Sequence, residues 1–296
     1  MSTPSNAVPE FSSHSQGIAP AVLSATRPLY WSIRRELWES RSIYIAPLAA
    51  AAVVLFGFLI GAMLDPAQRR HALAQQYDFA AALLMATQIL VGVFYCLDAL
   101  HSERRDRSIL FWKSLPVSDL TTVLSKALIP ILLLPLFTFA VTVATHMIML
   151  LLSGAIRLGS GLSVATLWTQ ASLFQMSLGL LYHLLALHVL WHAPIYAWLL
   201  LVSGWARRAV FLWAVLPVLA ICGVEKIAFN TAYFAGMLAH RVMGPEAFAS
   251  GSDPMSPMMT HVPDSLLSAP GLWIGLLFAA ACLAAAVRLR RCREPI

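Results

Sequence analysis

The chain has 296 residues, 59% of them hydrophobic and 11% charged, with a mean hydropathy of +0.74. That composition excludes an ordinary soluble domain and points to an all-α polytopic membrane protein, because long uncharged apolar runs read as membrane-spanning helices. The formal charge of +6 does not indicate nucleic acid: Lys and Arg flank the apolar runs, where they set topology and meet anionic lipid headgroups, and no basic stripe interleaved with aromatics occurs.

Residues 1–26 are polar and rich in Ser and Pro, without an apolar signal region, and read as a disordered cytoplasmic tail. Residues 29–42 follow as an amphipathic interfacial helix, with Leu29, Ile33 and Leu37 along one stripe and Arg34, Arg35 and Glu39 off it. Six uncharged runs then place spans at about 43–64, 79–99, 123–152, 169–204, 209–230 and 269–288, all within one membrane domain over 27–293. The fourth run, 171–203, is 33 residues long, too long for one straight span and too short for two with a loop. Pro194 inside it predicts a kinked or broken helix. The stretch 231–268 reads as an external loop with one short helix near 233–242.

Orientation follows from the basic residues. With both termini cytoplasmic, the inside segments hold 15 of the 20 Lys and Arg residues, a positive-inside bias for a multi-pass chain, and the location expected for it is a cell inner membrane. Cys96, Cys222, Cys282 and Cys292 form no C-x-x-C pair, and the first three lie in apolar runs, so neither a disulfide framework nor a zinc site is indicated and no cofactor is expected.

The loop at 100–122 holds the densest charge in the chain. Glu103, Arg104, Arg105, Asp106 and Arg107 are consecutive, followed by Phe111-Trp112 and Leu115-Pro116. A short helix over 103–113 is predicted, ended by Leu115 because a residue before proline avoids helical geometry. Ser118 then N-caps the third span, with Asp119 in its first turn. A helix aromatic on one side and charged on the other is suited to a groove on a soluble partner.

Several segments together carry a family likeness: Trp31-Ser-Ile-Arg-Arg-Glu-Leu-Trp-Glu-Ser40, Glu103-Arg104, Trp112-Lys-Ser-Leu-Pro116, Val123-Leu-Ser-Lys126, Trp191-His-Ala-Pro194, Ser203-Gly-Trp-Ala-Arg-Arg208, Pro270-Gly-Leu-Trp273 and the basic tail from Arg288. In this order they resemble the membrane permease subunit of ABC transporters of the type 2 exporter class, over residues 28–293. The resemblance implies a six-span half-transporter that pairs with a second permease copy, as a homodimer or heterodimer, and couples to a separate cytoplasmic ABC ATPase. It also implies that the coupling role falls on Glu103, Arg104, Arg105, Asp106, Phe111, Trp112, Leu115 and Pro116. The chain has no G-x-x-x-x-G-K-[ST] and no Gly-Lys pair, so ATP hydrolysis is expected on a partner chain and the subunit itself is expected not to be an enzyme.

Other residues carry narrower expectations. Glu225-Lys226 interrupts the fifth run after 16 uncharged residues, roughly 24 Å of helix, near the outer boundary, where the pair either snorkels or serves gating or substrate contact. His188 and His192, four apart, share a helix face, with His183 and His146 elsewhere in the membrane. They read as neutral histidines bonded between helices, or as the ligands of an intramembrane metalloenzyme, although Val189 replaces the Glu of H-E-x-x-H. Met255-Ser-Pro-Met-Met-Thr-His261 reads as apolar filler or a soft-metal loop. Gly57 with Gly61, and Gly271 with Gly275, present small residues for close helix packing. An ion-gradient-driven transporter is the other rival, and it would want membrane-embedded carboxylates and an internal repeat.

Overall fold

The structure is a computed structural model that describes residues 26–64, 73–106, 108, 117–159, 173–243 and 268–292. Among these the regular structure is helical, with no β-strand. In lipid a backbone must satisfy its own polar groups, and the apolar runs do so as helices. The helices are α1 (Thr26–Glu39), α2 (Ser42–Leu64), α3 (Leu73–Ala99), α4 (His101–Arg105), α5 (Asp119–Leu128), α6 (Leu134–Gly159), α7 (Leu173–His183), α8 (Ala193–Trp205), α9 (Val210–Phe229), α10 (Tyr233–Met243) and α11 (Pro270–Cys292). Two π-helical segments interrupt them, Ile129–Leu133 between α5 and α6 and Leu184–Trp191 after α7.

Among the described residues, five helices are long and apolar enough to cross a membrane, or six if the pair on either side of His192 is one bent span. The fold is therefore that of a multi-pass helical membrane protein. The fourth apolar run bends by 44° at His192, two residues before the proline that foretold it. Proline lacks an N–H and fits only the first turn of a helix, so α8 restarts at Ala193 with Pro194 at its beginning. The π-helical stretch before the bend and the one at Ile129–Leu133 were not foreseen.

Helix α3 lies at the centre, packed on α2, α6 and α8, and α8 runs along α11. A core of Val91, Tyr95, Cys96, Ile129, Leu134, Tyr196, Leu200 and Ala206 joins these elements, with Ile33 and Leu37 of α1 packed against it. Outward the bundle shows large apolar side chains, among them Val53, Phe56, Phe94 and Ile227. Helices α8 and α9 are joined by a tight reversal in which Ala209 adopts φ 51°, a strained value for a residue with a Cβ. The reversal is held by the Trp205–Trp213 edge contact and by Trp198 Nε1 donating to the carbonyl of Ala214 at 3.2 Å. The tail at 1–25, Phe111, Trp112, Leu115, Pro116 and the Met255–His261 loop lie outside the described residues.

Candidate functional site

One end of the bundle gathers α1, α4, the start of α5, the Arg207–Arg208 turn and the end of α11, and is the basic end of the molecule. At its centre is Glu103 of α4, which is only 5% exposed. Its Oε1 accepts from Arg35 Nη2 at 2.8 Å and lies 3.2 Å from Lys126 Nζ, and its Oε2 accepts from Arg290 Nη1. Glu36 of α1 forms the second centre: Lys126 Nζ and Arg35 Nη2 each donate to Oε1 at 2.8 Å, and the Tyr95 hydroxyl donates to Oε2 at 3.0 Å. Arg290 completes the group by donating from Nε to Asp119 at 3.0 Å. Three cations thus face three carboxylates, on four separate elements.

Lys126 and Arg290 are 2% and 7% exposed, and Glu36 is 3%. Charges this deep are tolerated only when paired and hydrogen-bonded, and removal of one partner costs about 3–5 kcal/mol. Arg35 is the most exposed cation of the group. Burial by itself works against its charge, but Glu36 and Glu39 outweigh that and hold the guanidinium above its ordinary value.

A second contact docks the same short helix. The backbone N–H groups of Leu100 and His101 donate to Ser203 Oγ at 3.1 and 3.0 Å, so a side chain of α8 satisfies the unpaired N-terminal amides of α4. Arg104 Nη1 donates to the carbonyl of Gly204 at 2.7 Å. Gly204 packs beside Leu100, where a Cβ would sit 3.4 Å from Cδ1, an ordinary van der Waals contact.

The residues expected to couple to a partner divide between two faces of α4. Helix α4 covers His101–Arg105 and ends at Asp106, and both Glu103 and Arg104 point inward. Their side chains are consumed by structure. Arg105 and Asp106 do face outward, paired with each other at 3.1 Å and both about three-fifths exposed. Ser118 caps α5 as expected, accepting from Thr121 N at 3.1 Å. The residues that sequence reasoning missed are Lys126, Arg290, Asp119, Glu36 and Tyr95. A Lys and an Arg at span ends were taken as topology signals, and nothing local marks them as partners of Glu103.

Helix α1 presents two faces. Glu36, Ile33 and Leu37 point into the bundle, while Tyr30, Trp31 and Trp38 are exposed. Arg34 lies over the rings of Trp31 and Trp38, 5.3 and 5.1 Å from their centroids.

At the far end of the bundle Glu225 does not stand unpaired. It accepts from the backbone N–H groups of Tyr233 and Phe234 at 2.6 and 2.9 Å and from Thr231 Oγ1 at 3.0 Å, which caps α10, while Lys226 is exposed. The other end of α10 is pinned by Arg241, which lies 4.4 Å over Trp191 and donates to the Gly271 carbonyl at 3.1 Å. Of the glycine pairs, Gly275 stands at a close helix approach, where a Cβ would lie 3.0 Å from Pro194 Cγ of α8. A Cβ at Gly57 or Gly271 would meet nothing within 4 Å, Gly61 is half-buried, and a Cβ at Gly275 would coincide with the Arg241 guanidinium. Gly275 thus seats an arginine as well as the edge of α8.

The histidines also depart from the metal-site reading. His188 and His192 stack with centroids 5.1 Å apart and planes 26° from parallel, an arrangement in which in-plane lone pairs run side by side instead of converging on one ion. Among the described residues no three His, Cys, Asp or Glu side chains are placed to hold a metal. His192 Nε2 pairs with the Val242 carbonyl at 3.2 Å and His146 Nε2 with the Tyr77 carbonyl at 3.1 Å, as neutral histidines do between helices.

Comparison of the chain with protein families, with curated proteins and with solved structures finds no match. The class that the fold defines, a multi-pass helical membrane protein, therefore rests on the helices themselves.

Proposed function

We propose that the chain is the transmembrane permease subunit of an ATP-driven ABC export system. It forms the substrate pathway as a dimer with a second permease copy and takes its energy from a separate cytoplasmic ATPase. Both termini and the 100–122 loop lie in the cytoplasm of a cell whose inner membrane the six spans cross, with α1 in the headgroup plane on its exposed aromatic face.

The observation that carries this reading is the anchoring of α4. A short helix between the second and third spans is bolted by Glu103 to α1, α5 and α11 and by its N-terminal amides to Ser203 of α8. A push on the loop is thereby delivered to several helices at once, as a coupling element requires. A merely topology-setting loop would need no such buried pairs. The outward residues Arg105 and Asp106, together with Phe111, Trp112, Leu115 and Pro116, form the face for the ATPase. Glu103 and Arg104 serve as the rigid mount behind it.

The test is recovery of a P-loop ATPase with the full-length chain from its native membranes, identified by mass spectrometry. Trp112→Ala combined with Arg105→Ala is expected to leave membrane insertion and Tm unchanged while abolishing that recovery. Undiminished recovery from the double variant, or no P-loop ATPase with the unmodified chain, overturns the reading.

A further inference from the structure

Deep in the bundle, where the second, third and fourth spans meet, polar side chains collect without partners. Gln88 and Thr138 are wholly buried, Tyr196 and His188 are 1% exposed and His183 is 3%. Both amide atoms of Gln88, both ring nitrogens of His188, Nε2 of His183 and the hydroxyls of Thr138 and Tyr196 have no hydrogen-bond partner among the described residues. An unpaired polar atom is costly to bury, and a membrane interior has no bulk water to repair the loss. So many together in one place call for an occupant.

Packing contacts link the segments that carry them. Met85 shares an apolar cluster with Leu180 and Leu184, against Phe139 next to Thr138. Gly92 lies against the Tyr196 ring, where a Cβ would sit 3.0 Å from Cε1. Gln88 is on the same face of α3, three residues after Met85 and four before Gly92, which brings it to the level of the π-helical turn carrying His188. The two π-helical segments, Ile129–Leu133 and Leu184–Trp191, pack against each other beside it. Such segments recur at functional sites because the widened turn frees backbone and re-aims side chains. Here the five-residue step puts the His183 and His188 rings 6.0 Å apart, and the His188 ring stacks in turn on His192.

We propose that Gln88, Thr138, His183, His188 and Tyr196 form a binding site for neutral hydroxyl groups within the membrane. The set contains amide, imidazole and hydroxyl groups, so it both donates and accepts, and its occupant must do the same. It holds no carboxylate and no Lys or Arg, so nothing in it compensates an ion. Hydroxyls reach such a site either as buried water or on a membrane-borne alcohol.

The experiment uses the full chain in lipid nanodiscs with Tm as readout. An occupied site makes Tyr196→Phe and Gln88→Leu each lower Tm by several degrees, and makes the double variant lose less than the sum because the occupant is shared. Unchanged or raised Tm in both single variants overturns the proposal, since apolar replacement of a truly unpaired group relieves a cost. Two further arms identify the source. Transfer of magnetisation from water to 15N-histidine ring nitrogens, lost in His188→Leu, assigns the hydroxyls to water. Stabilisation by dodecanol and not by dodecyl methyl ether, absent in the double variant, assigns them to an alcohol-bearing amphiphile. A chain that shows neither effect overturns the site.

Discussion

Glu103 and Arg290 meet in a buried ion pair although 187 residues separate them in the chain. The pair ties the loop after the second span to the end of the last helix. Because Lys126 and Arg35 converge on the same carboxylate, Glu103 is the common support of three cations.

Glu103→Ala should therefore destabilise the protein by about 3–5 kcal/mol, the usual cost of leaving buried charges without their partner. Thermal unfolding of the purified chain in detergent checks this. Arg105→Ala, which breaks an exposed pair with Asp106, should leave Tm where it was.

Ser203→Ala should loosen α4 without disturbing the spans. The hydroxyl satisfies two amides at the helix start, and loss of a capping oxygen costs about 0.5–2 kcal/mol. Hydrogen exchange at residues 100–106 should accelerate while exchange in α3 and α8 stays slow.

Gly275→Ala should displace Arg241 from its seat between α10 and α11, because the new methyl occupies the place of the guanidinium. Gly271→Ala is the control, with open space around its Cβ and its carbonyl still available to Arg241. Faster exchange across 233–243 in the first variant and not in the second is the expected result.

Glu225→Ala should release the start of α10 in the same assay. Its carboxylate accepts from the amides of Tyr233 and Phe234, which exchange faster once that acceptor is gone. Lys226→Ala, at an exposed side chain, should leave those amides protected.

The helices were legible because their cause is local. The uncharged run at 43–64 reappears as Ser42–Leu64, the run from 209 as Val210–Phe229 and the last as Pro270–Cys292. Ser118 capped where its hydroxyl and the following Asp119 said it would. Pro194 announced a break to within two residues, since the geometry of proline acts on its immediate neighbours. The π-helical turn at Leu184–Trp191 left no comparable trace, because a π-turn stands where tertiary packing holds it and its residues, Leu, Ala, His, Val and Trp, occur as readily in an α-helix; the one at Ile129–Leu133 does carry a local mark, Pro130.

The candidate site was half legible. Charge density drew attention to Glu103, Arg104, Arg105 and Asp106, yet the sequence carries no mark of which of the four turn inward. That depends on Lys126 and Arg290 arriving from the third and last spans, and on Ser203 and Gly204 standing beside α4. Equally, nothing in the sequence marked Gly275 as the seat of Arg241, which arrives from α10.

The sequence by itself determined that this is a chain of apolar helices with its basic residues concentrated at one end, since hydrophobicity and charge are properties each segment carries alone. Only the tertiary structure decided what those charges do. A carboxylate in a low-dielectric interior must find its cations, and which ones reach it is set by how distant helices pack. For that reason Glu103 became a buried anchor while Arg105, two residues on, stayed at the surface.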